Sequence, residues 1–176
     1  MSSNSYSISI RKEAFKFSSA HMTVFPDGTK EALHGHNYST EVSLDLRDIS
    51  LKNLVSFSYF KKAIKEICDA WDEKVLLPAN CPFLKFITQT ETKVEFLLCQ
   101  KRYVLPREEV VLLPLDNITA ETLSKEFCLR FLQKLSKPIL TESILGVRVR
   151  IDESPGQGAT YVWSPQIIKD QAVVEK

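Results

Sequence analysis

All three histidines of this 176-residue chain lie in one stretch, FKFSSAHMTVFPDGTKEALHGHNY. His34 and His36 flank Gly35, and because side chains two apart in an extended strand point to the same face, both imidazoles can point at one spot. His21 ends an alternating run that an antiparallel partner strand could bring beside this pair. Three neutral imidazoles without a fourth protein ligand nearby are typical of catalytic zinc, whose open position is left for water or substrate.

The length and composition indicate one globular domain with a single substantial core. A net charge of +1 provides no broad field to attract nucleic acid or an anionic membrane, so we expect a small-molecule partner. No apolar run approaches the length of a membrane span, and the polar start MSSNSYS lacks a signal-peptide core. The cysteines are far apart with no C-x-x-C, which favours reduced thiols: Cys68, Cys81, Cys99 and Cys128. We therefore expect a cytoplasmic protein.

Alternating apolar residues predict two long antiparallel strands in the first part of the chain. Tyr6 to Ser18 alternate with a change of phase at Glu13-Ala14, which indicates a strand with a bulge. Tyr38 to Leu46 alternate without interruption. The loop between the strands, Met22 to Leu33, contains proline, aspartate and glycine as turn residues.

Two amphipathic helices are predicted from apolar residues spaced by three and four. The first runs from Phe57 to about Leu76, with Ser56 or Ser58 as the N-cap and with the end set near Leu77-Pro78. The second begins after Thr119, whose hydroxyl can cap it, and ends before Pro138.

The segment between the helices, LKFITQTETKVEFLLCQKRYVLP, predicts two strands around Gln89 to Thr92, followed by the extended piece VVLLPLDN. A last hairpin is predicted from Leu145 to Ile151 and from Ala159 to Trp163, joined by the turn ESPGQG. The order strand, strand, helix, hairpin, helix, strand, strand predicts an α+β domain, an antiparallel sheet with two helices on one face.

The arrangement of FSSAH, a short loop and HGHNY, followed by the alternating STEVSLDL, resembles the 6-pyruvoyltetrahydropterin synthase and 6-carboxytetrahydropterin synthase family. The resemblance implies that His21, His34 and His36 hold a catalytic zinc ion. It also implies the tunnelling fold (T-fold), in which sheets of several subunits join into a barrel with active sites between subunits. We therefore expect a homo-oligomer, a hexamer of two trimers in many relatives. Residues 1–165 would form this domain, with an inserted β-hairpin at about 80–115 and a C-terminal extension at 166–176.

Classical pyruvoyl-forming members of this family carry a catalytic cysteine several residues before the HGH sequence, and this chain has none there. Glu31 stands in KEALHGH instead, which resembles the variant subgroup that cleaves the pterin side chain to 6-hydroxymethyl-7,8-dihydropterin for folate synthesis. A carboxylate there can act as a general base if partial burial raises its pKa toward neutrality. The alternative interpretation is a solvated loop carboxylate beside Lys30.

The family also shows an Asp-His pair followed by lysine near the end of the first helix, where this chain has WDEKVLLP. Asp72 then matches the aspartate, and Glu73 replaces the histidine that completes the catalytic triad. The natural imidazole for a proton shuttle is therefore absent, although adjacent carboxylates can share a proton. The alternative is an acid pair at a helix end, with Lys74 as its counter-charge.

Glu153 in RIDESPGQGATY matches a family glutamate that accepts hydrogen bonds from the pterin 2-amino group and ring N–H. Thr119 in NITAET corresponds to a threonine at the helix start that contacts the ring, and its alternative role is a plain N-cap. Candidate residues for a triphosphate tail are Lys16, Lys30, Lys101 and Arg102.

The resemblance implies a zinc-dependent lyase acting on the side chain of 7,8-dihydroneopterin triphosphate or a related pterin, with 6-hydroxymethyl-7,8-dihydropterin as one expected product. The alternative products within the family are 6-pyruvoyl- or 6-carboxytetrahydropterin. A different class of function is a zinc-holding pterin-binding protein without turnover, which the missing cysteine and histidine favour.

Overall fold

The computed structural model describes residues 6–50, 54–137 and 139–165. The extension expected at 166–176 and the residue Pro138 lie outside this part of the chain. The strands and α-helices of the described residues are β1 (Tyr6–His21), β2 (His34–Leu46), α1 (Phe57–Trp71), β3 (Lys74–Pro78), β4 (Leu84–Gln89), β5 (Lys93–Leu98), β6 (Lys101–Pro106), β7 (Val110–Leu113), α2 (Ala120–Lys134), β8 (Ile144–Ser154) and β9 (Gln157–Trp163).

The main sheet has the strand order β7-β3-β1-β2-β8-β9. Its β1, β2, β8 and β9 pair antiparallel, whereas β3 and β7 are added in parallel beside β1. Both helices pack on this sheet through one core, in which Trp71 of α1 meets Phe127 of α2 edge to face at 5.6 Å. Trp71 also meets Phe17 of β1 edge to face. The predicted α+β fold is confirmed. The sequence did not predict β3, nor that β3 and the extended piece containing β7 pair in parallel.

The first predicted strand and its bulge are confirmed, since the pairing of β1 with β2 shifts register between Arg11 and Lys16. The second strand begins earlier than predicted, at His34, so that the HGH sequence itself belongs to β2. The final hairpin is also confirmed and turns at Pro155-Gly156, where Gly156 has a positive φ of 80°.

Helix α1 starts after the predicted cap Ser56, but the predicted end near Leu77 is wrong. The helix ends at Trp71, and residues 74–78 form β3. Glu73 adopts a left-handed φ of 55°, and its N–H donates a hydrogen bond to the Ser18 carbonyl at 2.7 Å. The apolar run after it then pairs with β1, because a short apolar run suits a buried strand as well as a helix.

Helix α2 begins as predicted, with Thr119 as its N-cap. The Thr119 hydroxyl accepts from the Thr122 N–H, and the Thr122 hydroxyl accepts from the Thr119 N–H in return. The helix ends at Lys134, before the predicted stop. No helix in residues 6–50, 54–137 or 139–165 is long and apolar enough to cross a membrane.

Within the segment predicted as an inserted hairpin, at about 80–115, β4, β5 and β6 form a separate small sheet, whereas β7 joins the main sheet. The sequence reading missed the turn between β5 and β6, where Cys99 and Gln100 have positive φ angles of 49° and 64°. Neither residue is typical of such a turn. The small sheet packs on a second core that also contains Met22 and Val24. It therefore supports the loop that leads from β1 to the HGH sequence.

Candidate active site

The three histidines converge at the paired ends of β1 and β2. His21 is directly opposite His34 in the strand register, and His36 is opposite Ser19. The ring centroids are 4.6 Å apart for His21 and His34, 5.3 Å for His21 and His36, and 4.9 Å for His34 and His36. One ring nitrogen of each residue lies within 4.8 Å of the others. This arrangement, the histidine cluster, is the one that the sequence predicted.

Hydrogen bonds to main-chain carbonyls orient two of these rings. Nδ1 of His21 lies 2.9 Å from the Ile118 carbonyl oxygen, and Nδ1 of His34 lies 2.9 Å from the Ala32 carbonyl oxygen. Because a carbonyl only accepts, each Nδ1 carries the proton, and each Nε2 keeps a free lone pair. Nε2 of His21 is buried and has no hydrogen-bond partner among the described residues. These imidazoles therefore fit a metal ion such as zinc.

The surroundings of His21 favour the neutral ring that a metal requires. The residue is only 2% exposed, and this burial lowers the pKa of His21 to about 4. The neighbouring rings of His34 and His36 lower the pKa further, against the hydrogen bond to Ile118, which raises it. His21 is therefore a neutral imidazole at neutral pH, protonated at Nδ1 and with the lone pair of Nε2 available to a metal ion.

Glu31 lies beside the histidine cluster on the loop between β1 and β2. Its carboxylate Oε2 is 3.9 Å from Nε2 of His34, and its N–H donates to the Thr23 carbonyl at 2.9 Å. A hydrogen bond from the Thr23 side chain holds the pKa of Glu31 below its ordinary value. The condition of a raised pKa is therefore not met in the protein alone, because the Glu31 side chain is 42% exposed and the hydrogen bond outweighs the small effect of burial.

Asp72 and Glu73 lie at the junction of α1 and β3. Asp72 is the C-cap of α1, and its Oδ1 accepts a hydrogen bond from the Ser18 N–H at 2.7 Å. Glu73 lines a cavity of about 380 Å³ together with His36 and Lys74. The structure thus gives Asp72 a structural contact and places Glu73 near one histidine, in a cavity whose lining residues do not include Glu31.

Glu153 and Thr119 line one cavity of about 230 Å³, together with Thr23 and Gln157. Gln157 Nε2 donates to Glu153 Oε1 at 2.7 Å, which orients this carboxylate. Thr23, which also bonds Glu31, connects the cavity to the histidine cluster. The residues predicted for ring binding therefore lie near Glu31, whereas Glu73 lies in a different cavity.

The candidate residues for a phosphate tail have different surroundings. Lys16 pairs with Glu13 at 2.6 Å. Lys30 lies 5.1 Å from the centre of the Tyr103 ring and donates to the Glu31 carbonyl at 2.9 Å. Arg102 forms an ion pair with Glu95, a carboxylate buried in the small sheet. Of these, Lys30 lies next to the base candidate in the chain. Lys101, the first residue of β6, is exposed.

Sequence reasoning missed Thr23, Gln157, Tyr38 and Asn117. The Tyr38 ring packs 5.6 Å from His36 and 6.2 Å from His21, and its buried hydroxyl has no hydrogen-bond partner within residues 6–50, 54–137 and 139–165. Its place in HGHNY, in phase with the histidines, was the available signal. Nothing in the sequence marks the other three, because they act through hydrogen bonds to residues that the fold brings near.

Comparisons with known proteins indicate the family of this chain. The family model described as 6-pyruvoyl tetrahydropterin synthase matches residues 9–163. A Methanocaldococcus jannaschii protein named "Putative 6-carboxy-5,6,7,8-tetrahydropterin synthase" is 37% identical over 147 residues, which cover 83% of this chain and 88% of that protein. A Pyrococcus abyssi protein of the same name is 27% identical over 165 residues, covering 90% of this chain and 96% of that protein.

Solved structures show the same fold. The 6-pyruvoyl tetrahydropterin synthase of Plasmodium vivax superposes with a TM-score of 0.83 at 24% identity, covering 92% of this chain and 99% of that chain. A variant of the Plasmodium vivax enzyme, in which a catalytic glutamate is replaced by alanine, superposes equally well at 22% identity, with the same coverage of both chains. The predicted T-fold is thereby confirmed. Since the family model spans nearly all of the described chain, from β1 to β9, this protein belongs to the 6-pyruvoyl tetrahydropterin synthase family.

Proposed function

We propose that this protein is a zinc-dependent lyase that cleaves the side chain of 7,8-dihydroneopterin triphosphate or a close pterin, mainly to 6-hydroxymethyl-7,8-dihydropterin. The observation that carries the proposal is the carboxylate of Glu31 beside the histidine cluster, 3.9 Å from His34. Membership of a family of tetrahydropterin synthases supports a pterin as the substrate class.

His21, His34 and His36 are the proposed metal ligands. Zinc at this position would supply Lewis-acid polarisation of the side-chain oxygen atoms of the substrate. Glu153, held by Gln157, accepts hydrogen bonds from the pterin ring in this proposal, and the ring lies near the N-terminus of α2 at Thr119. The ring and the reacting side chain would then lie on either side of Thr23.

Glu31 is the proposed proton acceptor. The hydrogen bond from Thr23 lowers the pKa of Glu31, so its carboxylate is ionised and ready to accept a proton at neutral pH. A bound substrate that excludes water would weaken the solvation of this anion and strengthen it as a base. The Plasmodium vivax enzyme with its catalytic glutamate gives a precedent for this residue type in the family fold.

Asp72 and Glu73 are the second candidate proton-transfer groups. We propose a cytoplasmic homo-oligomer with active sites between subunits, in which Glu73 completes the proton path beside His36. The strands β7 and β9 form the two edges of the main sheet in the described chain, so each offers main-chain groups to another copy.

A second candidate product has its own support. The relative with 37% identity is named as a 6-carboxy synthase, which favours 6-carboxytetrahydropterin as the product here. Glu31 would then be a bystander, and Asp72 with Glu73 would supply the base. A pterin-binding protein without turnover is the alternative from another class, supported by the absence of the cysteine and histidine of classical members.

Product identification tests these proposals directly. The zinc-loaded protein is incubated with 7,8-dihydroneopterin triphosphate, and the products are separated and identified by mass spectrometry. We expect mainly 6-hydroxymethyl-7,8-dihydropterin. A pyruvoyl or carboxy product would overturn the role of Glu31, and tight pterin binding without any product would establish the non-catalytic alternative.

A further inference from the structure

The side chain of Asn117, in the segment before α2, forms hydrogen bonds with Val24, which lies 93 positions earlier in the chain. Its Oδ1 accepts a hydrogen bond from the Val24 N–H at 3.0 Å, and its Nδ2 donates to the Val24 carbonyl at 2.8 Å. One side chain thus satisfies both main-chain groups of Val24, as a neighbouring strand would. The contact joins the loop between β1 and β2 to the start of α2.

Val24 belongs to the same small hairpin as Glu31. Val24 forms an isolated antiparallel bridge with Lys30, and the next pair outward is Thr23 with Glu31, whose N–H bonds the Thr23 carbonyl at 2.9 Å. Fixing Val24 to Asn117 therefore fixes the main chain from which the Glu31 carboxylate extends.

Asn117 also fixes the group that orients a metal ligand. The Ile118 N–H donates to Asn117 Oδ1 at 3.0 Å, and the Ile118 carbonyl accepts from His21 Nδ1 at 2.9 Å. The Asn117 carbonyl accepts from the Thr122 hydroxyl at 2.8 Å, inside the cap of α2. Asn117 therefore connects the loop between β1 and β2, the histidine cluster and the start of α2 through its hydrogen bonds.

We propose that Asn117 is a positioning residue that sets the place of Glu31 relative to His21. This inference rests on the proposed function for the role of Glu31, but the contacts exist whatever the reaction is. An amide is required because it must accept from two N–H groups and donate to one carbonyl. Aspartate lacks the donor, and alanine lacks all three contacts.

Hydrogen exchange tests, without any substrate, whether Asn117 fixes the main chain of the hairpin that contains Val24 and Glu31. In Asn117→Ala, the amide protons of Val24 and Glu31 should both exchange about tenfold faster or more, because the hairpin opens locally. Asn80→Ala is the matched control, since Asn80 is an exposed loop asparagine whose side chain makes no hydrogen bond within the described residues. An unchanged exchange rate at Glu31 in Asn117→Ala would overturn the proposal.

A double-mutant cycle tests the catalytic part. We expect Asn117→Ala to lower kcat by about tenfold to a hundredfold with little change in KM, because misplacement of a catalytic group acts on the chemical step. Asn117→Ala should then lower kcat less in Glu31→Gln than in the wild-type protein, since the displaced carboxylate is already absent and only the contact through Ile118 to His21 is left to lose. If kcat of the double variant falls by the product of the two single-variant factors, Asn117 acts independently of Glu31 and has a merely structural role, which would overturn the proposal.

Asn117→Asp provides a second variant if Asn117→Ala folds poorly. It keeps the oxygen that accepts from Val24 and Ile118 but loses the donor, so its kcat should lie between those of wild type and Asn117→Ala. A kcat equal to that of wild type would count against the need for an amide. If the wild-type protein turns over no pterin, the proposed function fails, and hydrogen exchange of Val24 and Glu31 in Asn117→Asp still decides the role of Asn117.

Discussion

The Glu31 carboxylate Oε2 lies 3.9 Å from Nε2 of His34, beside the histidine cluster. If this carboxylate accepts the substrate proton, Glu31→Gln should lower kcat by about 10²–10⁴-fold, because the amide cannot act as a base. Zinc content should stay the same, since the residue is not a proposed ligand. Steady-state kinetics and elemental analysis measure both quantities. Glu109→Gln, an exposed carboxylate before β7, is the control, and an equal rate in both variants would rule out Glu31 as the base.

Metal content tests the histidine cluster. We expect about one zinc ion per chain, with zinc–nitrogen distances of about 2.0–2.1 Å in an absorption or crystallographic measurement. His34→Ala should lose most of the bound zinc. Asn37→Ala is a suitable control on the same strand, because its side chain bonds Ser18 rather than pointing into the cluster. Zinc held by cysteine sulfur in the wild-type protein would contradict the assignment.

Ring recognition is tested at Glu153. Glu153→Gln places an amide donor where the pterin ring also donates, so pterin affinity should fall while zinc content is unchanged. Titration calorimetry measures the affinity. Gln157→Ala should weaken binding less, because it removes the group that orients the carboxylate and leaves the carboxylate itself. Equal affinity of Glu153→Gln and wild type would exclude Glu153 from the pterin site.

Thr119 has a structural role that can be separated from substrate binding. Its hydroxyl caps α2, so Thr119→Ala should lower the free energy of unfolding by about 1 kcal/mol. Thr119→Ser keeps the hydroxyl and should retain most of this stability. Urea unfolding monitored by circular dichroism measures the difference. If Thr119→Ser lowers the free energy of unfolding as much as Thr119→Ala does, the methyl group of Thr119 stabilises the protein more than its capping hydroxyl.

We expect Glu95 to make a pH-dependent contribution to the free energy of unfolding. It is buried in the small sheet, and hydrogen bonds from Arg102 and then Lys93 hold the pKa of Glu95 below its ordinary value. Because the folded pKa is lower than the unfolded one, the stabilisation is present above the unfolded pKa and is lost as the pH falls through the folded pKa.

Glu95→Gln should therefore lower the free energy of unfolding more at about pH 7 than at about pH 3. Urea unfolding at the two pH values measures this. Glu91→Gln, an exposed glutamate in the turn between β4 and β5, should show a smaller difference. A loss from Glu95→Gln that is equal at both pH values would mean that packing, rather than charge, explains the role of Glu95.

Much of the fold could be predicted from the sequence, because alternation and helical spacing directly reflect which face of each element is buried. The end of α1 could not be predicted, because the run VLLP suits a helix and a buried strand equally. In the structure this run forms β3, which pairs with β1. The turn at Cys99-Gln100 was missed because its left-handed residues are not glycine or asparagine.

The histidine cluster could be predicted because its members are close in the sequence and chemically distinctive. Thr23 and Asn117 could not, since each acts mainly through main-chain hydrogen bonds, which leave no pattern in the residue types. The lowered pKa of Glu31 likewise depends on the Thr23 side chain, which the strand pairing brings to it.

The use of every histidine in a single cluster has a practical consequence for spectroscopy. The chain contains three histidines, and all of them belong to that cluster. Each imidazole signal in a nuclear magnetic resonance spectrum of the untagged protein would therefore report on this one place, before any sequential assignment. Titration with metal ions or pterins could be followed ring by ring in these signals. A polyhistidine purification tag would hide them and would compete for the metal, so this protein is best purified without one.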